Sequence, residues 1–252
     1  MPSLFSLIGS AWKFYQKQPV LNPVLGWMFV LPLSLENYVS ERVMPILYPA
    51  LPEVTTPEAL ASLPPEVVTF LMLTNLVLVV WMIWSNACVL VVGSRIIKSN
   101  AGRTRSSFGV VLNQGSSMVV PLLLTGLLRA IQTVLWSILL IIPGIVYSVR
   151  SLFYQVVIAT EGKEYRSSLL QSRKVVLGRS WEVFWYLMGL SITIALVAIF
   201  VGIMQATLLS IDDRLFLVTT VLGNTVMGFA MMLYVLTTIV WYKELKKHRP
   251  KA

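Results

Sequence analysis

The 252-residue chain has one cysteine, one histidine and 11 acidic residues, and charged side chains make up only 12% of it. Each scarcity removes a class of chemistry. Cys88 has no partner for an internal disulfide and lies in an apolar run, where a thiol is inert. His248 stands alone in a basic tail, so neither a zinc site nor a histidine-activated nucleophile can be assembled. The acids fall outside the apolar runs, and the glutamates between 36 and 66 are spread among prolines, so no carboxylate pair is marked for acid–base work. The glycines are scattered, without the spacing of a phosphate-binding loop. No catalytic residue, metal or cofactor is read, and the chain is expected not to be an enzyme.

Hydrophobic residues are abundant, at 56% of the chain, with a mean hydropathy of +0.77. A soluble domain carries about 25% charged residues and cannot bury this much apolar surface, whereas a bilayer can. About 20 apolar helical residues cross a hydrocarbon core of about 30 Å. By that measure the expected fold is all-α and polytopic, with six transmembrane helices over 20–35, 67–93, 117–142, 145–160, 183–209 and 215–242. Pro23 and Pro32 weaken the first, Arg129 interrupts the third and Arg150 the fourth. Pro143-Gly144 predicts a tight turn between the third and fourth. Residues 36–66, with five glutamates and six prolines, predict an irregular outer loop.

The net charge of +9 is distributed by side. Sixteen of the 20 Lys and Arg flank the spans on one face, two lie on the other, and Arg129 and Arg150 lie within spans. The positive-inside rule then places both termini in the cytoplasm. Trp181, Trp185, Tyr186, Trp241 and Tyr242 fall at the inner ends of the last two spans, and Arg150 within two turns of the outer end of the fourth. The sequence shows no cleavable leader ahead of the first span. Anionic lipid headgroups account for the basic flanks without invoking nucleic acid.

A threefold pattern follows. Leu4, Phe5, Ile8, Trp12 and Tyr15 share a helical face beside Lys13 and Lys17; Phe108, Val111 and Leu112 follow Arg103 and Arg105; Tyr165, Leu169, Val176 and Leu177 alternate with Lys163, Arg166 and Lys174. Each stretch suits the headgroup plane and precedes two spans, so the six spans group as three hairpins, each led by a cytoplasmic amphipathic helix. Ser191, Ala195, Ala198 and Gly202 form a small-residue stripe on the fifth span, expected to be a packing face.

Candidate binding residues come from charge inside the membrane, which costs about 2.5–3.5 kcal/mol on insertion scales. No acid lies in any span to neutralise Arg129 or Arg150. Arg129 shares a polar face with Gln132, and Arg150 has Tyr154 four residues on. Arg129, Gln132, Arg150 and Tyr154 therefore form a candidate site for a lipid phosphate or a wet cleft. The competing reading is that the arginines bond neighbouring carbonyls or snorkel to an interface. The same polar face also permits a solute path along the third span.

Finally, Ile142-Pro143-Gly144-Ile145, Arg150, Phe153, Glu161-Gly162, Ser172, Gly178 and Trp181, with Trp12, Tyr15 and Leu222-Gly223-Asn224-Thr225, resemble the YciC-like bacterial inner-membrane family. They are similar also to the membrane domain beside some glycerophosphodiester phosphodiesterases. The resemblance implies a six-span, non-catalytic protein of the bacterial inner membrane, linked to membrane or envelope lipid homeostasis. It implies lipid partners, and leaves a membrane-protein partner or a second copy open.

Overall fold

The computed structural model describes residues 2–47, 64–98 and 107–247. All regular structure among them is helical. Helix α1 (Leu4–Gln16) is capped by Ser3 and turns through 105° into α2 (Leu21–Ile46). The sharp bend suits a helix lying across the end of a span. The apolar arc of α1 is wider than the sequence suggests. Leu7 and Ala11 are buried against the bundle, while Phe5 is 84% exposed and Trp12 is also exposed.

Helix α2 continues beyond the expected first span, so residues 36–46, read as loop, are helical. Two π-helical stretches, Val24–Val30 and Val39–Val43, lie within it. Pro32 has no N–H, so the Met28 carbonyl loses its usual helical donor. Ser85 of α3 (Pro65–Gly93) brings its hydroxyl to that carbonyl. At the far end, Arg42 donates to the Asp213 carboxylate, Nη1 to Oδ2 at 2.7 Å, and lies 4.5 Å over the Phe216 ring. This pairing, between residues 171 apart in sequence, ties the last turns of α2 to the segment ahead of α10. The rest of the expected outer loop lies outside the described residues.

Helix α3 is exposed along its first half and buried from Ala87 to Gly93, and α4 (Arg95–Lys98) extends it. Arg103 and Arg105 lie outside the described residues. Helix α5 (Phe108–Leu139) is continuous, so the second amphipathic stretch is its opening turns and not a separate helix. A close approach to α3 fixes it there: a Cβ on Gly115 would stand 2.6 Å from Cys88 Sγ.

The connection to α6 (Ile141–Arg150) corrects the Pro143-Gly144 turn. The chain turns at Leu140, with extended φ and ψ of −160° and 134°. Pro143 lies in the first turn of α6, where no helical donor is needed. Gly144 admits the facing helix instead, since a Cβ there would stand 2.0 Å from Ser137 Oγ. Helix α7 (Tyr154–Glu161) follows a break at Ser151–Phe153 and ends at Gly162, whose φ of 64° is the left-handed cap that glycine adopts freely. Helix α8 (Tyr165–Val176) lies across α5, α6 and α7.

Helices α9 (Ser180–Ile211) and α10 (Phe216–Lys247) form the last hairpin. Helix α10 packs on α1, α2, α3 and α9, burying Met232, Leu236, Ile239, Trp241, Tyr242 and Leu245. Helix α9 is mostly exposed. Its stripe of Ser191, Ala195, Ala198 and Gly202 is exposed too, so it is not a packing face within this chain. Among the described residues, five helical segments are long and apolar enough to cross a membrane, and the α1–α2 pair brings the count to six. The chain is an all-α polytopic membrane protein.

Candidate functional site

The break between α6 and α7 organises the polar interior. Ending α6 at Arg150 leaves carbonyls without helical donors, and starting α7 at Tyr154 leaves N–H groups without acceptors. Three side chains take them up. Ser172 of α8 donates its hydroxyl to the Arg150 carbonyl at 2.9 Å and accepts from the Phe153 N–H at 3.0 Å. Ser151 Oγ lies 3.3 Å from the Ser148 carbonyl, and 2.9 Å from the Tyr147 carbonyl that already accepts from the Ser151 N–H. Arg129 of α5 supplies the third closure. Its Nε donates to Ser151 Oγ at 2.9 Å, and its Nη2 donates to the Ser148 carbonyl at 3.1 Å and hydroxyl at 3.2 Å.

This geometry answers how an arginine persists in a span without an acid. The C-terminus of α6 carries the negative end of a helix dipole, worth about half an elementary charge. Arg129 sits on it, with its guanidinium 5.5 Å from the Tyr154 ring centroid. Gln132, one turn on, accepts from the Tyr147 hydroxyl. Three of the four candidate residues, Arg129, Gln132 and Tyr154, are thus brought together around α6.

Arg150 stands apart. Its Nε donates to Ser180 Oγ at 3.1 Å, at the start of α9, and only its carbonyl belongs to the break. The side chain is therefore tied to the first residue of α9, next in sequence to Trp181. The expectation that it lies near the outer end of its span does not hold, because α6 ends beside the start of α9.

Two residues absent from the candidate set complete the neighbourhood. Arg173 of α8 lies 4.2 Å over the Tyr147 ring, and its Nε is buried and bonded to no described residue. Arg166 projects seven residues earlier on the same face, about 10 Å away along the axis. Between α8 and the second half of α5 runs a groove of about 810 Å³, lined by Gln132, Arg166 and Arg173 together with Leu128, Leu135, Trp136, Ile138, Leu139, Leu169 and Leu170. No acid lines it, and neither arginine forms an ion pair with a described residue. The signal was present in the sequence: two arginines at i and i+7 flank a Leu-Leu pair, on a helix whose other face is buried. A second cavity, of about 140 Å³, is lined by Arg129, Tyr154, Gln155, Tyr234 and Thr238.

Below the break, Glu161 accepts from Tyr242 Oη at 2.7 Å, Lys246 Nζ at 2.9 Å and Lys163 Nζ at 3.2 Å. Lys98 and Lys243 donate to the carbonyls of Ala159 and Ile96. Phe153 packs edge-on against Trp241 at 5.2 Å. The residues of the Arg150–Phe153–Glu161–Ser172 pattern thus gather where α6, α7, α8 and α10 meet.

Substituting Ser172 by alanine removes a buried donor and a buried acceptor together. The expected cost is about 1–3 kcal/mol, read as an earlier midpoint of unfolding in detergent. An unchanged midpoint would show that the break does not depend on this hydroxyl.

Among the described residues, no group of three or more metal-ligating side chains is present. No protein-family model, no curated protein and no solved structure matches the chain.

Proposed function

We propose that this chain is a non-enzymatic integral membrane protein of the bacterial inner membrane, with both termini in the cytoplasm. It serves membrane or envelope lipid homeostasis by binding anionic lipid at its cytoplasmic face. The observation that carries this reading is α8. Ser168, Leu169, Ser172, Val175 and Val176 are buried against the bundle, while Arg166 and Lys174 face outward and Arg173 is half-buried. A basic helix held in that manner presents fixed charge to a headgroup layer, at about 1 kcal/mol per residue near an anionic surface. Helix α1, bent away from its span and carrying Lys13 and Lys17, supports the same reading. The YciC-like resemblance points in the same direction.

The test is lipid analysis of protein extracted from nanodiscs containing equal parts of phosphatidylglycerol and phosphatidylcholine. Phosphatidylglycerol is expected to be enriched among the retained lipids. Retention in the bulk ratio would overturn the reading. The orientation has its own test: a reporter fused after Pro52 is expected on the outer side, and a cytoplasmic signal would reverse the topology.

A solute path is the second reading, favoured by the cavity beside Arg129. Flux of small polar solutes into proteoliposomes would support it, and an impermeable vesicle would end it.

A further inference from the structure

We propose that the groove between α5 and α8 is a built site for one glycerophospholipid, its anionic phosphate held by Arg166 and Arg173 and its acyl chains lying along α5. This deepens the lipid-binding reading above and rests on it, but it makes a separate claim. General attraction to an anionic surface needs only charge, whereas this site needs two particular guanidinium groups and an apolar wall beside them.

Four observations converge. First, the groove is amphiphilic along its length: Arg166 and Arg173 line one side, and Leu135, Trp136 and Leu139 of α5 line the other. Second, the apolar wall faces outward, with Ile138 76% and Leu139 69% exposed, so a chain can enter from the side without crossing polar surface. Third, the charge is uncompensated. No acid lines the groove, and neither Arg166 nor Arg173 forms an ion pair with a described residue. A guanidinium with free donors is suited to a phosphate, which accepts two parallel hydrogen bonds in its plane. Fourth, Arg173 is not free to swing away, because its guanidinium stacks on the Tyr147 ring and that tyrosine is hydrogen-bonded to Gln132. The donor is therefore held in place before the ligand arrives, which reduces the entropic cost of binding.

Charge complementarity selects the occupant. An uncharged chain would leave both arginines unpaired, and a free phosphate would leave the leucine and tryptophan wall uncovered. A phosphodiester carrying two acyl chains satisfies both.

The experiment uses the full-length protein in nanodiscs of equal phosphatidylglycerol and phosphatidylcholine, with native mass spectrometry reading the lipid that stays bound after extraction. The wild type is expected to retain one phosphatidylglycerol. Arg173→Gln and Arg166→Gln are each expected to lower that occupancy about tenfold, the loss of one charge-assisted contact. Lys247→Gln makes the same charge change at an exposed position at the end of α10, outside the groove, and is expected to retain the lipid. Arg166 is exposed, so its variant tests the site even where Arg173→Gln fails to fold. Excess inorganic phosphate is expected not to displace the lipid.

The outcomes separate the two claims. If the wild type shows no preference for phosphatidylglycerol, the general reading fails. If it does, but all three variants lose lipid equally, or neither arginine variant loses any, the preference is bulk attraction and the groove is not a site. Displacement by inorganic phosphate would show a phosphate site without a lipid.

Discussion

Replacing Arg129 by methionine is expected to destabilise the protein by about 2 kcal/mol, the upper range for polar contacts between helices in a membrane. Methionine fills similar space and removes the charge, so the loss reports the contacts. Five hydrogen-bonding atoms are involved: Nε and Nη2 of Arg129, Ser151 Oγ, and the Ser148 carbonyl and hydroxyl oxygens. Hydrogen bonds to a charged group contribute about 1.5–3 kcal/mol, and the dipole of α6 adds to that. Without Arg129 the Ser148 carbonyl keeps only the long contact from Ser151 Oγ, at 3.3 Å. Arg129→Lys is expected to recover part of the loss, because an ammonium matches the charge but cannot span Ser148 and Ser151 with a planar fork. Unfolding in a detergent titration measures both variants. A methionine variant as stable as the wild type would show that the break in the span is closed without Arg129.

Gly144→Val is expected to act on a different contact with similar force, about 1–3 kcal/mol. A Cβ at Gly144 would stand 2.0 Å from Ser137 Oγ and 3.0 Å from Ser137 Cα. The hydroxyl can rotate away, but the Cα can move only with its helix. Moving it separates α5 from α6, which pack closely along this hairpin. Ser137→Gly in the same chain is expected to restore part of the stability by removing the hydroxyl and its carbon. A neutral Gly144→Val, or a double variant no better than the single, would show that the two helices do not meet at this point.

The apolar helices were legible because hydropathy over 20 residues depends on composition more than on neighbours. Their internal breaks were not. Pro143-Gly144 reads as a turn, yet proline is equally at home in the first turn of a helix and glycine equally at home where two helices touch. The break at Ser151–Phe153 contains neither residue, so no local cue announces it, and it depends on Ser172 and Arg129 from other helices. That is also why the partner of Arg129 was invisible. The search was for an acid, and the partner is a helix end created by tertiary structure. Residues 36–46 looked like a loop because Glu36, Glu41 and Arg42 are charged. The partner of Arg42 is Asp213, which is distant in sequence. Arg129 and Gln132 were found by spacing on one polar face, and Tyr154 by its spacing from Arg150. Arg173 was missed because it reaches that face from α8.

The central position of α10 has a consequence for how the protein is made. Spans enter the membrane in order from the ribosome, yet part of the surface against which α1, α2 and α3 pack belongs to α10, which follows them all in the chain. Until Phe216–Lys247 leaves the exit tunnel, the parts of those earlier helices that α10 covers lack that neighbour, and Tyr242 and Lys246 cannot reach Glu161. The packing of α1, α2 and α3 is therefore completed only once α10 is in place, and until then those helices present to the bilayer faces that the folded protein covers.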